Sequence, residues 1–407
     1  MGRQPSTHLP IPQLAESLTY NPHMDWRSKL LHPDAPPAGF NALAPGTHRA
    51  STTVFPNLAA TADATWQKPY TYGLYGTPTT LDLAQRITTM TGGSHAFIVP
   101  SGQAGIALIN LALLRPGDHV LIPDNIYGTH RDLMRQLITQ LHIEATFYNP
   151  LGTLSAHLRP NTRLVWFESP GSVTMEVQNI PALMEELRGK DILTAIDDTY
   201  SAGVLFRPFD HGIDISMQAI SKYIGGHSDV ILGCVTTAPH TDHTLYVKLG
   251  DTFRILGLNA SPDDCTLALR GLQTLGVRLS AAAESALTLA RALENHPAIA
   301  TVLHPSLPSN PGHSSFLRDF AGPAALFSIV FQERTTREQT EAFVDALRLF
   351  KIGYSWGGTT SVVMAYPDDA RIVAQHGPRL VRFGIGLEHT PDLLHDIHQA
   401  LAVANIS

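Results

Sequence analysis

The sequence predicts an α/β fold with a mostly parallel central sheet and a smaller C-terminal α/β domain. From Thr80 onward, segments with apolar residues at helical spacing alternate with short apolar runs of strand length. Strands separated by single helices need crossover connections, which give parallel pairing and cover both faces of the sheet. A long Ala/Leu-rich segment from about Cys265 then separates this pattern from later strands. The length, 407 residues, exceeds one small core and suits two or three domains.

The elements follow in order. Residues 1–75 hold many Pro, Gly and Thr, as in Pro33-Asp34-Ala35-Pro36-Pro37-Ala38-Gly39-Phe40, and read as an extended arm with little core of its own. Such an arm packs on something else, another subunit being one candidate. Helical spacing runs through Leu81–Met90 and Ala104–Leu114, with Ser101 as N-cap of the second. Arg115-Pro116-Gly117-Asp118 breaks that helix, and a strand follows at His119–Pro123. The alternation continues through Arg131–Leu141, Glu144–Tyr148, Arg163–Phe167, Pro181–Arg188, Ile192–Ile196 and Ile213–Ile220. Lys248–Ala260 shows no decodable pattern and reads as a pocket-lining loop, with Phe253 and Arg254 as its candidates for facing the pocket. The helix after Cys265 passes Arg270, Leu279 and Ala290, and strands return at Ala324–Phe331 and Leu380–Leu387. The expected organisation is an arm over 1–75, a larger domain over 76–268 and a small domain over 269–407.

Composition excludes several classes. Hydrophobic residues make up 43% and charged residues 15%, an ordinary globular balance. The net charge of −7 is spread out, and no run of Lys and Arg points to nucleic acid or an anionic membrane surface. Met1–Leu14 has no apolar core, so no secretory signal is expected. The longest apolar stretch, Ala104–Leu114, falls short of the roughly 20 residues a membrane span needs. Cys234 and Cys265 form no CxxC pair, which fits a reducing cytoplasm and argues against disulfides or a zinc knuckle. The 20 histidines are scattered, and His240 and His243 form an HxxH pair beside no third ligand, so no metal site is expected.

The informative stretch is Asp197-Asp198-Thr199-Tyr200 followed by Ser216-Met217-Gln218-Ala219-Ile220-Ser221-Lys222-Tyr223-Ile224-Gly225-Gly226-His227-Ser228-Asp229. A carboxylate ends one expected strand and a lysine ends the next, 25 residues on. In an open parallel sheet the carboxyl ends of strands form the ligand crevice. Pyridoxal phosphate suits the pair: it needs a lysine amine to attach it and an acid to keep its ring nitrogen protonated. Taken alone, a lysine there is more often a solvated one. Its company raises the case. Pro100-Ser101-Gly102-Gln103-Ala104-Gly105 sits at a strand-to-helix turn, where free N–H groups bind phosphate; it is equally an ordinary cap. Tyr127, in Asp124-Asn125-Ile126-Tyr127-Gly128, suits stacking on a ring or a plain surface turn. Arg382, in the apolar run Val381-Arg382-Phe383-Gly384-Ile385-Gly386-Leu387-Glu388, is costly unless paired. Either a substrate carboxylate or a structural ion pair satisfies it.

With these residues in view, the chain from about Arg49 to Leu401 resembles the Cys/Met-metabolism family of pyridoxal-phosphate enzymes, of the aspartate-aminotransferase fold type (fold type I). The specific signature is Gln218–Asp229 around Lys222. That family includes cystathionine γ-synthase, cystathionine γ-lyase, methionine γ-lyase and cystathionine β-lyase. Two motifs favour the β-lyase branch: Phe167-Glu168-Ser169-Pro170-Gly171-Ser172-Val173-Thr174-Met175-Glu176-Val177, and Tyr354-Ser355-Trp356-Gly357-Gly358, where the γ-enzymes usually carry Leu in place of Trp356.

The resemblance implies the roles. Lys222 carries the cofactor and then acts as base at the substrate Cα. Asp197 pairs with the ring nitrogen. Tyr127 stacks on the ring and, as a second catalytic residue, helps with proton transfer. Gly102, Gln103 and the Ser221 hydroxyl hold the phosphate, with Tyr72 lent by a neighbouring subunit. Arg382 and Ser355 hold the substrate carboxylate, and Trp356 narrows the pocket. Two departures stand out: Leu74 replaces the arginine of the usual Tyr-x-Arg, and Asp198 stands where the family often has Asn. The implied reaction is β-elimination of L-cystathionine to homocysteine, pyruvate and ammonia, as in transsulfuration and methionine biosynthesis. The alternatives are γ-elimination or γ-synthesis in the same family, or a pyridoxal-phosphate-binding protein without lyase activity. The implied assembly is a cytoplasmic homotetramer of dimers that share active sites.

Overall fold

The computed structural model describes residues 44–407. The part of the expected arm before residue 44 lies outside the described residues. Its remainder, up to Tyr75, holds two short 3-10 turns, Leu58–Thr61 and Gly73–Tyr75.

The first regular unit is helix α1 (Pro78–Thr91), closed at its start by a reciprocal Thr77/Thr80 capping box with Pro78 in the first turn. Strand β1 (His95–Val99) leads into α2 (Gly102–Leu113), where the Ser101 hydroxyl accepts from the Ala104 N–H at 3.0 Å. Next come β2 (His119–Pro123), α3 (Gly128–Leu141), β3 (Glu144–Tyr148), β4 (Thr162–Glu168), α4 (Ile180–Leu187), β5 (Leu193–Asp197), β6 (Ile215–Gln218), β7 (Gly233–Thr237) and α5 (His243–Leu256). These seven strands form one sheet in the order β1-β7-β6-β5-β4-β2-β3, parallel except for β7, which is antiparallel to both neighbours.

Alternation along the strands splits the core in two. Phe97, Val99, Val120, Ile122, Leu164, Trp166 and Val235 bury against α2, α3 and α5. Ile98, Leu121, Val165, Phe167, Ile196 and Cys234 face the other way, toward α1 and the long helix α6 (Pro262–Glu294). Both faces being covered is why these strands read as continuous apolar runs.

After α6 the chain forms β8 (Ile299–Leu303), α7 (His313–Asp319), β9 (Leu326–Phe331), α8 (Arg337–Ala346), β10 (Lys351–Ile352), β11 (Val362–Ala365), α9 (Ala370–His376), β12 (Leu380–Gly384) and α10 (Thr390–Val403). The second sheet has the order β10-β11-β12-β9-β8, antiparallel throughout except for β10 with β11. Among the described residues no helix is long and apolar enough to cross a membrane.

Three expectations need correction. The strand expected over 213–220 is only β6, and Lys222 follows it in a turn closed by Lys222 N–H to Ala219 O (3.1 Å) and Gly226 N–H to Lys222 O (2.8 Å). Lys248–Ala260 is mostly helix, because Leu245, Leu249 and Gly250 bury one face of α5 and Gly257 ends it in the left-handed region. Phe253 therefore packs on Phe97 (5.5 Å between rings) and Arg254 points to Asp251 (3.8 Å); neither lines the cavity described next. Single helices also do not separate every pair of strands: β3 and β4 are joined without one, and β5 and β6 only through the 3-10 turn Pro208–His211.

Candidate active site

The carboxyl ends of β1, β2, β4, β5 and β6 open on one cavity of about 1700 Å³. This is where an open parallel sheet binds ligands. Its lining includes Gly102, Gln103, Tyr127, Glu168, Asp197, Ser221 and Lys222 from the first sheet's loops, and Ser355, Trp356, Tyr366 and Arg382 from the second sheet. The structure thus brings together nine of the ten residues singled out from the sequence. Tyr72 is the exception: it is exposed, packs edge-on against Tyr75 at 5.7 Å, and does not line this chain's cavity.

The Lys222 amine donates to the Ser355 hydroxyl at 2.9 Å and lies 5.7 Å from the Trp356 ring centre. Gly357 makes this approach possible. Its φ is +85°, and a Cβ there would stand 2.9 Å from the Lys222 carbonyl carbon and the Tyr223 nitrogen. The 354–358 loop therefore rests on the Lys222 turn backbone to backbone. Burial lowers the amine's pKa, the nearby Arg382 charge lowers it further, and Asp197 pulls it back.

Asp197 ends β5 and is buried; Thr199 fixes it, donating its N–H (3.0 Å) and its hydroxyl to Oδ1. Burial raises the Asp197 pKa to about 6, against the pull of the Thr199 hydrogen bonds and Lys222. Directly across the β4–β5 ladder sits Glu168, whose Oε2 accepts the Tyr127 N–H at 2.8 Å. Burial and the Asp197 charge push its pKa well up. Glu168 lies in the stretch Phe167–Val177, and the sequence signal for it is an acid ending the strand before the one that ends in Asp197. Asp198 faces away from the cavity and is held by the Ser201 hydroxyl and by Gln218 Nε2 (3.2 Å).

Most cations on the cavity wall are already paired. Arg131 meets Asp124 (2.7 Å), Arg135 meets Asp132 (2.9 Å), and Arg371 meets Asp124 (3.3 Å) and Glu176 (3.1 Å). Arg382 differs. It is 6% exposed and donates to the Tyr354 carbonyl, and among the described residues no carboxylate reaches it. Burial lowers its pKa accordingly. The ion pair within the small domain that the sequence left open does not form among the described residues.

The site fits pyridoxal phosphate. The N–H groups of Gly102 and Gln103 open α2 and have no partner within the helix. A Cβ at Gly102 would stand 2.9 Å from that of Ala219, so only glycine leaves the cradle open. Gln103 Oε1 is buried without a partner. The Ser221 hydroxyl donates to Leu232 O (3.1 Å) and accepts from Leu232 N–H (3.0 Å), so turning it to a phosphate means giving up the carbonyl.

Comparisons with known proteins agree with this site. The family model described as Cys/Met metabolism PLP-dependent enzyme matches residues 28–402. A putative cystathionine beta-lyase of Rhizobium johnstonii is 40% identical over 370 residues, covering 89% of this chain and 91% of that protein. The cystathionine beta-lyase MetC of Escherichia coli K12 is 36% identical over 367 residues, covering 87% and 92%. Among solved structures, a cystathionine gamma synthase from Xanthomonas oryzae in complex with cystathionine superposes with TM-score 0.84 at 29% identity, covering 91% of this chain and 95% of that one. With this cavity and these relatives, the chain belongs to the Cys/Met-metabolism family of pyridoxal-phosphate-dependent enzymes, and is a carbon–sulfur lyase with pyridoxal phosphate as its cofactor.

Proposed function

We propose that this enzyme is a cystathionine β-lyase, releasing homocysteine, pyruvate and ammonia from L-cystathionine. The observation that carries the reading is a buried Arg382 guanidinium without a carboxylate, in one cavity with the Lys222 amine and the Trp356 ring. The relatives named cystathionine beta-lyase support the same choice.

Bound pyridoxal phosphate supplies an electron sink for the pair left at the substrate Cα. The chain's residues do the rest. Arg382 and Ser355 hold the substrate carboxylate, as a planar fork and a hydroxyl suit. Lys222 takes the Cα proton and returns one to the departing sulfur; its lowered pKa increases the neutral form that a base needs. Asp197 holds a proton on the ring nitrogen, its carboxylate form being favoured by the Thr199 hydrogen bonds and by Lys222. Tyr127 stacks on the ring, and Glu168 fixes the Tyr127 backbone. Gly102, Gln103 and Ser221 hold the phosphate. Trp356 narrows the space beside the Lys222 amine and disfavours the further proton transfer at Cβ that a γ-elimination requires.

The same proposal covers assembly and place. Residues 76–268 form the cofactor-binding domain and 269–407 the small domain. Tyr72 completes the phosphate site of a neighbouring subunit in a cytoplasmic tetramer of dimers. Its exposure and its absence from the lining of its own cavity support that direction.

A second reading, γ-elimination or γ-synthesis, is favoured by the likeness to the γ-synthase structure. A product assay separates them. Cofactor-saturated enzyme incubated with L-cystathionine gives pyruvate and homocysteine on the first reading. Release of 2-oxobutyrate and cysteine would overturn it.

A further inference from the structure

Arg382 is buried, carries no carboxylate partner among the described residues, and still lines the cavity. Something must keep a long, flexible and desolvated cation in one orientation. The register of the second sheet shows what is available. Met364 on β11 lies directly opposite Arg382 on β12, and Ala365 opposite Val381. Side chains alternate along a strand, so Tyr366, the next residue but one after Met364, shares the face of Met364 and Arg382. A diagonal neighbour across an antiparallel pair is within reach of an aromatic ring. Accordingly the Arg382 guanidinium carbon stands over the Tyr366 ring, 5.3 Å from its centre, and all three side chains line the cavity.

We propose that Tyr366 is a positioning residue: its ring is the platform that holds the Arg382 guanidinium flat and aimed at the carboxylate of the amino-acid substrate. The inference rests on the reading of Arg382 as the carboxylate anchor. The ring does two things a carboxylate would not. Its face attracts the cation without neutralising it, so the full charge stays available to the substrate. It also occupies the face of the guanidinium, leaving the in-plane N–H groups for the Tyr354 carbonyl and the incoming carboxylate. A lysine in place of Arg382 would have no plane to lay on the ring.

The test compares holoenzyme carrying Tyr366→Leu or Tyr366→Phe with Arg382→Ala. Two probes are titrated by calorimetry: glycine, and glycinamide, which has the same amine and no carboxylate. Cation–aromatic contacts predict that Tyr366→Leu weakens glycine binding roughly two- to thirty-fold. It leaves glycinamide unchanged, raises KM for L-cystathionine and moves kcat little; Tyr366→Phe restores most of the glycine affinity. Several results would overturn the proposal. If Tyr366→Leu binds glycine like the wild type while Arg382→Ala loses it, the ring does not position the guanidinium, though Arg382 keeps its role. Equal losses of glycine and glycinamide mean a distorted pocket. A Phe variant as weak as Leu means that the hydroxyl, not the ring, matters. If Arg382→Ala itself binds glycine normally, the underlying reading of Arg382 fails as well.

Discussion

Replacing Gly357 with alanine tests how closely the 354–358 loop is bound to the Lys222 turn. The new methyl carbon meets the Lys222 carbonyl carbon and the Tyr223 nitrogen at 2.9 Å, both of them backbone atoms that cannot swing aside. The backbone φ of +85° adds a second cost. An ordinary residue in the left-handed region costs roughly 1–2 kcal/mol, and overpacking a close contact costs roughly 1–3 kcal/mol more. Gly117 provides the control: its φ is +87°, but nothing lies within 4 Å of a Cβ there. Gly117→Ala therefore carries the conformational cost alone. The thermal midpoint of the holoenzyme should fall for both variants and about twice as far for Gly357→Ala. Relief of the clash moves the loop off the turn, so Ser355 leaves the Lys222 amine. Gly357→Ala should then also raise KM for L-cystathionine at least about tenfold, as loss of a hydrogen bond to a charged group would, while Gly117→Ala leaves KM alone. If the two variants lose equal stability, or Gly357→Ala keeps wild-type kinetics, the loop is not held as argued.

Other predictions follow from the same geometry. Lys222→Ala should abolish turnover and the visible absorption of the attached cofactor; near wild-type activity would remove Lys222 from its role. Trp356→Leu should shift the product ratio from pyruvate toward 2-oxobutyrate by about an order of magnitude, the scale of a single pocket contact; chromatography of the keto acids reads this, and an unchanged ratio would mean the ring only packs. Asp198 is buried with its pKa raised from 3.8 to about 8. The folded state therefore holds a proton that the unfolded state releases, and the stability this supplies is lost as pH rises from about 4 through 8. Asp198→Asn has no proton to lose, so its advantage in melting temperature should grow between pH 5 and pH 8 and level off above; a difference independent of pH would contradict the buried acid.

Much of this was legible in the sequence because it depends on period and punctuation. The strands around Val120, Val165 and Ile196 are apolar on both faces, and the cap at Ser101 is a local signal. Part of the cavity wall, Gly102, Tyr127 and Asp197, was legible because strand ends in a parallel sheet converge whatever the connections between them, whereas Ser355, Trp356 and Tyr72 were named only through the family resemblance. What was hidden depended on distant partners. Helix α5 escaped notice because Gly250, against which Trp66 packs, breaks the apolar spacing that usually marks a buried face. The place of Lys222 in a turn after β6, rather than on it, is set by hydrogen bonds within residues 219–226 that no alternation reveals. Tyr366 became visible only when register put it diagonally across from Arg382.

The contact between Lys222 and Ser355 spans 133 residues of chain. At roughly 5–20 residues per second, a ribosome makes Lys222 on the order of ten seconds before Ser355, and Arg382 later still. Once β7 (Gly233–Thr237) has followed, the first sheet has all its strands, yet the Lys222 amine still lacks its hydroxyl neighbour, and Arg382, the proposed carboxylate anchor, has not been made. Completion of the reaction centre is thus a late event in biosynthesis. A chain cut short after the first sheet carries Lys222 and Asp197 without Ser355, Trp356 or Arg382.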